Sequence, residues 1–210
     1  MMYDHEMRIV ESKNTTTSFS PQIWIFLLII LVGWFRYLPL ANPELYNFTP
    51  TLALFLISGR FLKGHLAWIG PIISIIISDL ILNPTYGVNL LEPFMIVTLF
   101  SYFAIYFLGK NVLRTNSFIS LSIGAISSAL IFHFFTCGFS WIVNPAYAKS
   151  FFGFWQAQIL GEPGYSPAYL FLRNSIISTM GFTSVFYLIR KRLVPKVSQI
   201  STDDTKLSKI

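Results

Sequence analysis

Five ionisable side chains stand inside or at the rim of strongly apolar stretches: Arg36, Asp79, Glu92, His133 and Arg173. Asp79 lies in Ile77-Ser78-Asp79-Leu80 and Arg36 in Trp34-Phe35-Arg36-Tyr37, each with apolar neighbours on both sides. A lone charge at the centre of a lipid-embedded helix costs about 2.5–3.5 kcal/mol on insertion scales, so each of these groups needs a partner or water. Two cations and two carboxylates can neutralise one another. In doing so they either pin helices together or line a polar cavity. The neutral donors and acceptors nearest in sequence are Asn47, Tyr86, Asn89, Asn144, Gln156 and Asn174. The chemistry these residues suit is recognition of a polar solute. No H-E-x-x-H, G-x-S-x-G or Walker pattern occurs, so no enzyme activity is expected, and the chain has no nucleotide site with which to power transport.

The elements that position them follow from composition. The 210 residues are 54% hydrophobic and 11% charged, about half the charged fraction of a soluble domain, with mean hydropathy +0.61. An all-α membrane protein is expected, its partner the lipid bilayer. The one cysteine, Cys137, excludes an intramolecular disulfide and a multi-cysteine metal site. No metal and no cofactor are expected, and His133 alone reads as a hydrogen-bonded core histidine. Six apolar runs, at 22–40, 48–62, 66–82, 92–109, 117–140 and 167–189, predict six transmembrane helices. The second is short, roughly 22 Å at 1.5 Å per residue, as if tucked among its neighbours. With the third it makes a hairpin through the turn Lys63-Gly64-His65. The first reads as a retained helix rather than a cleaved signal. Residues 1–20 read as a flexible cytoplasmic tail, 21–192 as the six-helix domain, and 193–210 as a disordered cytoplasmic tail.

Basic residues set the orientation. With the N-terminus inside, Arg8, Lys13, Arg60, Lys63, Lys110, Arg114 and the six basic residues from Arg190 onward all fall inside, and only Lys149 falls in an outside loop. The net charge of +6 therefore reports membrane topology rather than nucleic acid. Arg36, Asp79, Glu92, His133 and Arg173 then share the outer half of the bundle.

Residues 141–166 form a long outside loop. Tyr147, Phe151, Trp155 and Ile159 recur every four residues, which predicts an amphipathic interfacial helix over 146–160. A passive aromatic belt and a lid over an outward pocket fit this helix equally well. As a lid it would face Trp155 and Gln156 onto a cavity holding Arg36, Asp79 and Arg173. Small residues four apart predict close helix packing: Gly70, Ser74 and Ser78; Ser120, Gly124 and Ser128; and Ser175, Thr179 and Thr183.

The run Asn47-Phe48-Thr49-Pro50-x-x-Ala53-Leu54, followed by Ser78-Asp79-Leu80, resembles an uncharacterised family of bacterial multi-pass membrane proteins. Trp141, Tyr147-Ala-Lys149, Gly153-Phe-Trp-Gln-Ala157, Gly161-x-Pro163-Gly164-Tyr165-x-Pro167 and Phe171-Leu-Arg-Asn174 extend the resemblance. Cys137 departs from it, standing where the pattern has asparagine. The resemblance implies the bacterial plasma (inner) membrane and no assigned activity. More distantly, the Pro-led second helix and the Ser-rich third helix ending in an acid resemble S components of energy-coupling-factor vitamin transporters. That likeness implies micronutrient capture in the outer half of the bundle and a separate energising ATPase module. The Ala-x-x-x-Ala face with which such proteins dock the module is missing from the first helix. Cys137, His133 and Arg173 are also the residue types of membrane transpeptidases, but there the histidine follows the arginine, and that reading is set aside.

The residues expected to bind a small-molecule solute are Arg36, Asn47, Asp79, Glu92, His133, Trp155, Gln156, Arg173 and Asn174, with none catalytic. The rival reading is a non-transporting membrane scaffold or assembly factor whose charges pin helices.

Overall fold

The computed structural model describes residues 21–87, 89, 93–113 and 115–193, with the backbone alone at 21–29, Leu66, Tyr86, Arg192 and Leu193. The expected tails, apart from Leu193, lie outside the described residues, as do Glu92 and the Tyr86 side chain. Among the described residues the regular structure is all helix: α1 Pro21–Ala41, a 3-10 turn Pro43–Leu45, α2 Thr51–Phe61, α3 Leu66–Tyr86, α4 Pro93–Phe107, α5 Phe118–Val143, α6 Phe151–Ile159 and α7 Ala168–Leu193.

The apolar runs became helices where the chain supplies ends. Pro21 and Pro93 occupy first-turn positions, where a missing N–H costs nothing. Ser117 and Ser150 cap α5 and α6 by accepting from the N–H groups of Ser120 and Gly153 at 3.2 Å. Gly87, with φ 66°, closes α3 in the left-handed conformation. The interfacial helix begins at Phe151 rather than 146, because residues 144–150 fold into a turn of their own. There Lys149 Nζ donates to the carbonyls of Trp141 and Asn144, and Trp141 Nε1 to that of Ala148. Gly153 lies so close to this turn that a Cβ on it would come within 1.9 Å of the Ala148 carbonyl oxygen.

The interior combines an apolar core around Phe55, Leu56, Ile105 and Leu121 with many small polar residues, and large apolar side chains cover the outside. Buried residues include Ser58, Ser74, Ser78, Ser101, Ser128, Ser175, Thr179 and Thr183, and the three small-residue ridges are largely buried. Ile96, Ile119 and Trp34 are by contrast 70% or more exposed. In water this arrangement would leave an apolar surface with no counterpart; in lipid the outer face is solvated by acyl chains, and small residues let helices approach. Among the described residues three helices are long and apolar enough to cross a membrane: Ala67–Thr85, Pro93–Val112 and Phe118–Val143. This is a membrane protein.

Six spans plus one interfacial helix is a finer statement than the helix lengths give. α2 has 11 residues, about 16 Å, against a hydrocarbon core of about 30 Å. It packs against α3, α4, α5 and α7 and buries eight of its residues, so its shortness is met by protein rather than by lipid. α7 is long but carries Arg173, Asn174 and a basic last turn.

α2 meets the end of α4 backbone to backbone. A Cβ on Gly59 would lie 2.1 Å from the Tyr106 carbonyl oxygen, and one on Gly109 2.2 Å from that of Leu56. At this crossing α4 widens into a π turn, Leu108–Val112.

Candidate functional site

Near its C-terminal end α3 turns Ser78 and Asp79 towards the last turns of α1. Arg36 Nη2 forms an ion pair with Asp79 Oδ1, and Nη1 donates to Ser78 Oγ at 2.5 Å. Ser78 in turn donates to the Ile75 carbonyl at 2.9 Å. A serine beside the acid thus gives the guanidinium a second acceptor without bulk. The arginine side chain is 25% exposed and the aspartate 13%. A charge pair this withdrawn depends on its geometry, because each ion has lost most of its hydration.

The pair opens onto a cavity of about 290 Å³, near the lower limit for small-molecule pockets. The loop before α2 contributes Asn47 and Thr49, and α2 itself Thr51 and Leu52. Asn47 takes the left-handed conformation (φ 61°), which asparagine tolerates better than most residues. Thr49 Oγ1 accepts from the Thr51 N–H at 3.2 Å and donates to Thr51 Oγ1 at 2.9 Å, ordering the start of α2, where Pro50 has no capping side chain. Asn83, Asn89 and Thr98 add polar groups, while Ile75, Ile76, Phe94, Met95 and Leu99 make apolar wall. Tyr102 and Phe132 also line the cavity. Their rings stack within 9° of parallel at 5.6 Å, and Phe55 continues the stack at 4.8 Å from Tyr102. The result is a small amphipathic chamber with one neutralised charge pair, several amide and hydroxyl groups and an aromatic floor. Such a chamber can bind a small polar molecule.

Of the expected site residues, Arg36, Asn47 and Asp79 meet in this cavity, and Glu92 lies outside the described residues. The structure places the others elsewhere. His133 and Trp155 line a separate apolar cavity of about 460 Å³ between α5, α6 and α7. There His133 Nε2 donates to the Gln158 carbonyl at 2.7 Å, and Gln158 Nε2 donates to the Phe134 carbonyl at 3.1 Å. The pair fastens α6 to α5. Gln156 is half-buried on α6, outside both sets of lining residues. The aromatic stripe of α6 faces outwards at Phe151, Trp155 and Ile159, and the face turned inwards is Gly153, Ala157 and Gln158.

Arg173 and Asn174 line a third cavity, of about 240 Å³, with Glu44 and Tyr46. Asn174 Nδ2 donates to the carbonyls of Glu44 and Tyr46 at 2.6 and 2.9 Å, and its Oδ1 accepts from Arg173. This clamp holds the loop between α1 and α2 against α7, and so fixes Asn47 and Thr49 at the first cavity. Asn144 donates to Glu162 at 2.7 Å, closing the loop between α5 and α7. Among the described residues no group of three His, Cys, Asp or Glu side chains is placed to hold a metal.

Sequence reasoning missed Thr98 and Tyr102. A signal was present, since Thr98, Ser101 and Tyr102 fall at i, i+3 and i+4 within an apolar run and form one polar stripe.

Residues 17–200 match the family described as "Family of unknown function (DUF6580)". The chain belongs to that family. No curated protein and no solved structure matches it. In this DUF6580 chain the residues that carried the resemblance hold loops and close contacts. Asn47 supplies the left-handed turn at the cavity, Asp79 the ion pair, and Trp141 and Lys149 the turn before α6. Gly153 provides the close approach to Ala148, and Asn174 the clamp on the α1–α2 loop.

Proposed function

We propose that this DUF6580 chain is a multi-pass integral membrane protein of the bacterial plasma membrane that captures a small polar solute beside Arg36 and Asp79. It would serve as a solute-binding, S-component-like subunit for micronutrient uptake, energised by a separate ATPase module. The observation that carries the reading is the cavity itself. A charge pair and several amide and hydroxyl side chains converge on a space large enough for a small molecule, at one end of a bundle whose outer surface is apolar. In the six-span, N-inside orientation favoured by the distribution of lysine and arginine, that end faces outwards. The role is one of binding and requires no covalent step.

Native mass spectrometry of protein purified in mild detergent is expected to show a retained small molecule, released on collisional activation. Thr98→Leu, which puts apolar bulk into the cavity, is expected to lose it while melting close to wild type. Wild-type protein that is empty under all purification conditions would remove the solute-binding reading.

The orientation has its own test. Cysteines placed singly at Asn89 and Ser166 are expected to react with an impermeant thiol reagent in intact cells, and one at Ser198 to react only after lysis. The reverse pattern would invert the topology and turn the cavity to the cytoplasm.

A second reading, a non-transporting scaffold or assembly factor, is favoured by the way Arg36 and Asp79 satisfy each other without a ligand. Co-purification separates the two. An ATPase partner accompanies a transport subunit, whereas a large stable complex with neither ATPase nor small molecule marks a scaffold.

A further inference from the structure

At the opposite end of the bundle from Asp79, α2 turns into α3 through Leu62, Lys63, Gly64 and His65. Beside this turn lies a cavity of about 510 Å³ lined by three cations, Arg60, Lys63 and Lys110, and by His65. The fold concentrates these groups. The Gly59–Gly109 crossing brings the backbones of α2 and the π turn into contact, so Arg60 and Lys110, each next in sequence to one of those glycines, are held side by side. Arg60 Nε donates to Asn116 Oδ1 at 2.7 Å, which fixes its direction. Lys63 and Lys110 are exposed, and Lys110 lies over the Tyr106 ring at 5.8 Å. His65 is the N-cap residue of α3 and its side chain makes no capping bond, so the positive end of a 21-residue helix also points into this region.

Among the described residues the carboxylates are Glu44, Asp79 and Glu162. Asp79 lies 14 residues beyond His65 on α3, about 20 Å along the axis, and Glu44 is at the α1–α2 loop clamped to the start of α7. None of them lines the basic cavity. The cavity's other walls are apolar, including Leu62 and Trp68, both more than a third exposed. Trp68 stands within the first turn of a helix long and apolar enough to cross a membrane, at the depth where tryptophan prefers the interface. A cationic cleft with an apolar flank at that depth matches a ligand with an anionic head and acyl chains.

We infer that the cavity between the α2–α3 turn and the π turn of α4 is a binding site for a phosphate-bearing group, that of an anionic phospholipid. The phosphoryl oxygens are received by Lys63 and Lys110, with Arg60 beside them, and the acyl chains run past Leu62 and Trp68. The site is independent of the outward cavity and stands whether or not that cavity binds solute.

The test uses the full chain in detergent, delipidated and then titrated with phosphatidylglycerol, with phosphatidylcholine or with inorganic phosphate. Bound lipid is counted by native mass spectrometry, and thermal melting reports retention of the fold. Phosphatidylglycerol is expected to bind at least tenfold more tightly than phosphatidylcholine. Lys63→Gln and Lys110→Gln, tested separately, are each expected to weaken phosphatidylglycerol several-fold, while Lys191→Gln, which removes the same charge at the end of α7, leaves it unchanged. Inorganic phosphate that competes only at millimolar concentration supports the lipid as the source. Phosphate that binds as tightly as the lipid overturns the lipid assignment in favour of a soluble phosphate. Equal binding of the two lipids, or equal losses in all three variants, would show only general charge attraction and overturn the site.

Discussion

Gly59→Ala and Gly109→Ala are each expected to lower the melting temperature of the detergent-purified protein by roughly 6–12 °C, corresponding to about 3 kcal/mol in a chain of this size. The reason is geometric. The added methyl would lie 2.1 Å from the Tyr106 carbonyl oxygen in the first variant and 2.2 Å from the Leu56 carbonyl oxygen in the second. Both obstacles are backbone, so no side chain can rotate away and the helices must part by about 1 Å. Parting them loosens the buried cluster around Leu56, Ile105 and Tyr106, where α2 meets α4. Gly181→Ala is the control. It lies on the exposed face of α7 with nothing within 4 Å of an added Cβ, and alanine there is expected to leave stability unchanged or raise it by about 0.5–1 kcal/mol. Variants at Gly59 and Gly109 that melt within 2 °C of wild type would disprove the close crossing.

The second large effect is expected at the ion pair. Asp79→Leu strands a mostly buried guanidinium and Arg36→Leu strands the carboxylate. Each is expected to cost about 3–5 kcal/mol, the usual result of removing one partner from a buried pair. The double variant Arg36→Leu/Asp79→Leu removes both charges together, leaving neither stranded, and is expected to recover at least half of that loss. The double-mutant cycle therefore reads a coupling of several kcal/mol. Additive losses would mean that Arg36 and Asp79 do not act on each other and that their approach beside Ser78 is incidental. Stability and solute retention also answer different questions here. Arg36→Leu/Asp79→Leu protein that folds but no longer retains a small molecule assigns the pair to binding as well as to packing. Protein that folds and still retains it assigns the pair to packing alone.

The two expectations differ in how far they could be read from the residues. Arg36 and Asp79 announce themselves as ionisable groups in apolar runs, and equal depth along their helices makes pairing one of the few outcomes open to them. The Gly59–Gly109 contact has no comparable sign. Neither glycine has a partner of its kind in a repeating stripe, and which backbone lies opposite each follows from how α2 crosses α4. The α6 helix falls between these cases. Its aromatic period was legible, but the period does not say which face turns inwards. Gly153, Ala157 and Gln158 took the inner face because a small-residue face lets α6 lie close on α5, with Gln158 reaching the Phe134 carbonyl and its own carbonyl receiving His133.

What the sequence determined by itself was the class of molecule and the approximate ends of its helices. A lipid-embedded helix must satisfy its own backbone and carry its own apolar length, so each run declares itself locally. Only the tertiary structure decided which polar groups share a chamber. Arg36 and Asp79 meet beside Asn47 and Tyr102, whereas Arg173, Asn174, His133 and Trp155 open onto other cavities. Position around a helix axis is set by which neighbours it packs against, and that depends on contacts between residues far apart in the chain, such as Asn174 with the carbonyls of Glu44 and Tyr46.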